Sequence, residues 1–128
     1  MDLVIIVVVL AIIQYIAFGF LVGWARGKYD CPAPATTGNE IFERYNRVHM
    51  NTLEQMPAFL SAMFLYSHTG SPNVAAGLGV VFIVGRFVYL RSYIADPKSR
   101  GIGFGLTTLP VLYMLLGSLF FTVRNMLA

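Results

Sequence analysis

Arg47, Asn51 and Glu54 follow one another at i, i+4 and i+7, and Arg86, Tyr89 and Tyr93 at i, i+3 and i+7. Either spacing gathers its residues on one face of an α-helix. Arg26 and Arg100 add cations near the ends of apolar runs. Guanidinium groups bind carboxylates bidentately. A carboxylate such as Glu54 takes an ammonium, Asn51 takes an amide or a thiol, and the tyrosines supply hydroxyls. The set suits a small zwitterion with more carboxylate than ammonium. The competing reading is structural: Glu54 pairs with Arg47 or Arg86 and fastens helices together. That pairing satisfies one arginine or two and leaves further cations without an internal acid. Asp30, Glu40, Glu43 and Asp96, in or near the loops, neutralise only part of the excess.

The elements that carry these side chains are apolar. The chain has 128 residues, 57% hydrophobic and only 12% charged, about half the usual charge of a soluble domain. So short a chain cannot bury that much apolar side chain in its own interior, which places it in a membrane. The net charge of +3 is too small to imply nucleic acid. The lone cysteine, Cys31, excludes an intrachain disulfide.

The apolar runs predict four membrane-spanning helices in a single bundle, over residues 3–25, 41–68, 72–94 and 102–123, with no repeat and no second domain. Only Gln14 interrupts the first run. Its positive charges, Arg26 and Lys28, follow the run rather than precede it, so it reads as a span and not as a cleaved signal. Thr37-Gly38-Asn39-Glu40 has the form of a capping box and predicts a helix start near Glu40. Pro72 suits the first position of the third helix. Pro57 and Pro110 fall inside spans, where bundle neighbours can re-satisfy the freed carbonyls. The loop between spans one and two carries Arg26, Lys28, Arg44 and Arg47, and the loop between three and four carries Arg91, Lys98 and Arg100. The positive-inside rule therefore predicts cytoplasmic charged loops and both termini outside. Both polar triplets lie at the cytoplasmic ends of their helices. Short loops without targeting tails favour a bacterial inner membrane over an endoplasmic reticulum.

Two segments carry a family resemblance across nearly the whole chain. "TTGNEIFERYNRVHMNTLEQMP" resembles the E-R-x-x-R-x-x-x-N-x-x-E-x-x-P signature of the membrane-associated proteins in eicosanoid and glutathione metabolism, the MAPEG family. "RFVYLRSYIADPKSR" resembles that family's R-x-x-Y-x-x-x-Y pattern, followed seven residues later by an arginine. The resemblance implies a homotrimer of four-helix subunits, with glutathione bound between neighbouring subunits near the cytoplasmic face. It places Arg47, Asn51, Glu54, Arg86, Tyr89 and Tyr93 in the glutathione site, with Arg26 reaching it from the first helix. Arg100 matches the arginine that activates the glutathione thiol in the microsomal glutathione transferase and leukotriene-C-synthase-like branches. The implied activity is glutathione S-transferase, with glutathione peroxidase activity toward lipid hydroperoxides beside it. The second substrate is then an apolar electrophile arriving from the lipid.

The chain also departs from the family pattern. Gln55 stands where leukotriene-C-synthase-like members carry a tyrosine, which changes one glutathione contact. Gly27 stands where that branch has a second arginine, and Gly101 where the prostaglandin-E-synthase branch has a serine. These changes favour a general detoxifying enzyme over a specialised eicosanoid one. A noncatalytic scaffold like the lipoxygenase-activating member is the alternative, and Arg100 speaks against it because that branch lacks the matching arginine. A transporter would need a polar stripe through both leaflets, and the second helix beyond Pro57 is almost wholly apolar. His49 lies off the Arg47–Asn51–Glu54 face, as Arg91 lies off the Arg86–Tyr89–Tyr93 face. No histidine–carboxylate group has metal spacing, so no metal is expected. The runs Gly77-Leu78-Gly79 and Gly101-x-Gly103-x-Gly105 read as close helix packing, because a nucleotide fingerprint needs a strand before it.

Overall fold

A computed structural model describes the whole chain, Met1–Ala128. It contains helices and no strand: α1 (Asp2–Lys28), α2 (Glu40–Thr69), α3 (Pro72–Ala95) and α4 (Gly101–Leu127), with a short 3-10 turn, Pro97–Ser99, before α4. The helices overrun the apolar runs by a few residues at most ends. By length and composition, α1, α3 and the Pro97–Leu127 stretch could each cross a membrane. α2 is the longest helix but does not meet that mark. Its first half carries Glu40, Glu43, Arg44, Arg47 and Glu54, and Gln55 follows. Polarity, not length, separates it from its neighbours.

The helix starts are set by side chains, although not always by the expected one. Asn39, rather than Thr37, caps α2: its Oδ1 accepts from Ile41 N at 2.9 Å and Phe42 N at 3.0 Å. Asparagine directly before the first helical residue reaches those orphan donors, and Thr37 is two residues too early. Glu43 reaches back to Gly38 N instead. Ser71 caps α3 through Val74 N, with Pro72 at its first position. α2 and α4 run through Pro57 and Pro110 without interruption.

The main core joins all four helices. Val4, Val7 and Ala11 of α1 meet Phe59, Ala62 and Met63 of α2, Ala75, Ala76 and Phe82 of α3, and Val111 and Met114 of α4. Phe59 and Phe82 stack at 3.8 Å between centroids. Midway along, Gln14 Nε2 donates to the Ile83 carbonyl at 2.8 Å and binds α1 to α3. Towards the charged end, α3 and α4 come into backbone contact. A Cβ on Gly103 would lie 2.6 Å from the backbone N and Cα of Tyr89, and one on Gly85 would lie 2.7 Å from the Leu106 Cβ. Of the two runs expected to pack closely, Gly79 and Gly103 do so, and Gly85, outside both runs, packs as closely. Gly77, Gly101 and Gly105 have nothing within 4 Å of such a Cβ. The approach at Gly103 is what sets Arg100, one turn earlier, beside Tyr89.

Candidate functional site

Three helices build a polar cleft of about 420 Å³ at the end of the bundle that bears the charged loops. α2 contributes Arg47 and Asn51, α3 contributes Tyr89 and Tyr93, and α4 contributes Phe104, with Arg100 at the residue just before α4. Its size lies within the range of about 300–1,000 Å³ common for small-molecule sites. The rings of Tyr89 and Tyr93 stack, 5.5 Å between centroids, and form one wall. A second polar cleft of about 440 Å³ shares Arg47 and Tyr93 and extends outward past Arg44, Glu40 and Glu43.

Arg47 and Glu54, two turns apart on α2, form an ion pair at 2.9 Å, Nη1 donating to Oε1. Their side chains are 49% and 55% exposed. A pair this open contributes only ~0–1 kcal/mol. It can therefore give way to a ligand that brings its own carboxylate to Arg47 and its own ammonium to Glu54.

Behind the cleft lies Arg86, with no solvent exposure at all. Its Nη1 donates to Asn51 Oδ1 at 2.8 Å and to Thr52 Oγ1 at 3.2 Å, and its Nη2 to Thr107 Oγ1 at 3.4 Å. Both threonine hydroxyls spend their protons on backbone carbonyls, of Val48 and Phe104, which leaves lone pairs for the guanidinium. The guanidinium carbon sits 4.5 Å from the centre of the Tyr89 ring. No carboxylate pairs with it: the ion pairs of the chain are Arg44–Glu40 and Arg47–Glu54. Neutral oxygens and a π-face thus hold a buried cation beside the cleft.

On the other flank of Arg100, an apolar groove of about 770 Å³ begins at Gly101 and Ile102 and follows α3 and α4 past Val81, Leu109 and Leu116. The only exposed cation of α4's start therefore stands between a polar cleft and an apolar groove.

A model of the MAPEG family matches residues 4–120 of the sequence. The chain belongs to the MAPEG family. Among its relatives, an uncharacterised protein of Synechocystis sp. is 42% identical over 110 residues, covering 86% of this chain and 80% of its own. Human microsomal glutathione S-transferase 2 is 36% identical over 112 residues, covering 87% of this chain and 76% of its own. Leukotriene C4 synthase of Bos taurus is 30% identical over 94 residues, covering 73% and 63%. The two named enzymes support a place for the MAPEG chain in the microsomal glutathione transferase and leukotriene synthase branch.

Of the residues that resemblance singled out, the structure brings Arg47, Asn51, Tyr89, Tyr93 and Arg100 onto one cleft. Glu54 stands beside it through Arg47. Arg86 lies behind the wall and touches the cleft only through Asn51 and Tyr89. Gln55 is half-buried on α2 and is not among the cleft's lining residues. Arg26 is elsewhere in the chain: its Nη1 donates to the Cys31 and Ala35 carbonyls at 3.1 and 2.6 Å, and its guanidinium lies 4.9 Å from the centre of the Phe42 ring. It fastens the α1–α2 loop to both helices. His49 stacks on Tyr15 between α1 and α2, 4.8 Å between centroids. No group of three or more histidine, cysteine or carboxylate side chains could hold a metal ion.

Sequence reasoning overlooked Phe104, Thr107 and Thr52, and gave Arg44 no part beyond that of a loop charge. Arg100, Phe104 and Thr107 repeat the i, i+4, i+7 spacing of Arg47, Asn51 and Glu54, and that periodicity was the available signal. Arg44 Nη1 donates to the Ile94 carbonyl at 2.7 Å. It gives the end of α3 the cation that α3's own last turn lacks. Nothing in the spacing of Arg44 points to a partner 50 residues away.

Proposed function

We propose that this MAPEG chain is a membrane-bound glutathione S-transferase. The observation that carries the reading is the convergence of Arg47, Asn51, Tyr89, Tyr93 and Arg100 on one cleft. Glutathione has two carboxylates, one ammonium and a thiol. Arg47 takes the γ-glutamyl carboxylate and Glu54 its ammonium, replacing their own exposed pair. Asn51 and the tyrosines bind the peptide, and the thiol lies at Arg100.

A free thiol of pKa ~8.5 is only ~3% thiolate at pH 7, and a nearby cation that lowers it by ~2 units raises that share to ~75%. The thiolate is the nucleophile. Arg100 stays charged, so it stabilises the anion and the proton leaves to water. α4 begins at Arg100 without a side-chain cap, and the positive end of the helix dipole adds to the same field. The sulfur attacks an electrophilic carbon, a C–S bond forms, and the leaving group departs with the displaced electron pair. With a lipid hydroperoxide, sulfur attacks the terminal oxygen. The alcohol leaves after taking up a proton, and a second glutathione reduces the sulfenic acid to give the disulfide and water. Electrophiles of this kind are apolar and reach Arg100 along the groove that starts at Gly101 and Ile102.

The same reading includes a homotrimer with glutathione between subunits and the site facing the cytoplasm. Arg26, absent from the cleft of its own chain, then approaches the cleft of a neighbour. The test is turnover of an activated aryl chloride by the purified protein in detergent with glutathione. Product and chloride should form at a rate that saturates with glutathione and collapses in Arg100→Ala. Binding of glutathione without turnover of any electrophile would favour a scaffold instead.

A further inference from the structure

Arg86 is the largest fully buried side chain in the molecule and it carries a charge. Apolar residues of the same volume would fill the space at lower cost, since a buried unpaired cation carries a heavy desolvation penalty. Its partners show what it does there. Its shortest hydrogen bond, 2.8 Å, goes to the carboxamide oxygen of Asn51. Arginine has only donors, so the amide must turn its oxygen to Arg86 and its NH2 away. Away from Arg86 is the cleft: Asn51 forms part of the cleft wall, remains 8% exposed, and its nitrogen has no partner within the chain. Thr52 and Thr107, their own protons engaged on backbone carbonyls, accept from Arg86 from α2 and α4 and help to hold the guanidinium against Asn51.

We infer that Arg86 is a positioning residue: it acts through Asn51, fixing that amide as a dedicated hydrogen-bond donor to the ligand, and does not itself touch the ligand. It follows that the bound molecule presents an acceptor at Asn51, a carbonyl, carboxylate or thiolate, and never a donor. The inference rests on glutathione being the ligand, as proposed above, and it narrows what part of glutathione Asn51 meets.

Asn51→Asp tests it. The carboxylate keeps an acceptor for Arg86 and supplies the missing counter-charge, but it turns an acceptor instead of a donor to the cleft. Thermal stability without glutathione should hold or rise, while the apparent Kd for glutathione, read by isothermal titration, weakens by ~10–100-fold. A second measurement asks whether Arg86 reaches the ligand by itself. Arg86→Gln and Asn51→Ala should each weaken glutathione binding, and the double variant should be no weaker than Asn51→Ala alone. Additive losses mean that Arg86 contacts glutathione directly, and they overturn the inference. Unchanged binding by Asn51→Asp overturns it as well, and decides the matter even where Arg86→Gln does not fold. If the unaltered protein fails to bind glutathione, it is the proposed function that falls.

Discussion

Arg47 and Glu54 show how an exposed ion pair can serve binding more than stability. Each is about half open to solvent, so removing one leaves no buried charge behind. Arg47→Ala should leave the melting temperature nearly unchanged and raise the glutathione KM by ~10–100-fold, the cost of a lost charged hydrogen bond. A melt and an initial-rate series check both halves. Arg86 is the opposite case. At 0% exposure, with three neutral oxygens as partners, it is bound to the fold as well as to the site. The sequence could place Arg47, Asn51, Tyr89, Tyr93 and Arg100 together because helical spacing and the family pattern agree on them. It could not tell Arg86 behind the wall from Arg47 on it. Each stands at the head of a polar triplet on its helix, Arg47 in the polar half of α2 and Arg86 in an apolar run of α3, and it is the packing of Thr52 and Thr107 against Arg86 that puts it behind the wall. Arg26 was equally opaque, since its partners are carbonyls in an irregular loop, which leave no mark on side-chain patterns.

Among the elements, α4 and the start of α2 depend on single residues. Gly103 lets α4 approach the backbone of Tyr89, and the site needs that approach because Arg100 lies one turn before it. Gly103→Ala puts a methyl 2.6 Å from Tyr89 N, so α4 must move. Overpacking of this kind costs ~1–3 kcal/mol, and the displaced Arg100 should lose transferase turnover as well. Gly77→Ala is the control: nothing lies within 4 Å of its Cβ, and alanine there should gain up to ~1 kcal/mol in a helix with turnover unchanged. At α2, Asn39→Ala should cost ~1 kcal/mol by removing the cap and Thr37→Ala close to nothing. Paired thermal melts distinguish these. Helix positions were legible from the apolar runs and from Pro72. The cap was misassigned because the Thr37-x-x-Glu40 spacing also fits a capping box, and sequence alone does not show which residue turns first into the helix.

The whole molecule has more apolar surface than it can use by itself. Only 31 of 128 residues are buried, while Phe20, Ile102 and Leu109 are 76%, 74% and 67% exposed. Lipid covers such surface, and so can another copy of the chain. If the proposed trimer forms, light scattering corrected for detergent should give three times the chain mass. A monomer would leave Arg26 out of every cleft. The expectations about turnover rest on one chemical claim, that Arg100 holds a thiolate at the mouth of the cleft. It is tested most directly by the ultraviolet difference absorbance of the thiolate on mixing glutathione with the protein, for the natural chain and for Arg100→Ala. A thiolate band should form with the natural chain and disappear in Arg100→Ala while glutathione remains bound. Bound glutathione with no thiolate band in the natural chain, or a band that survives the loss of Arg100, would contradict it.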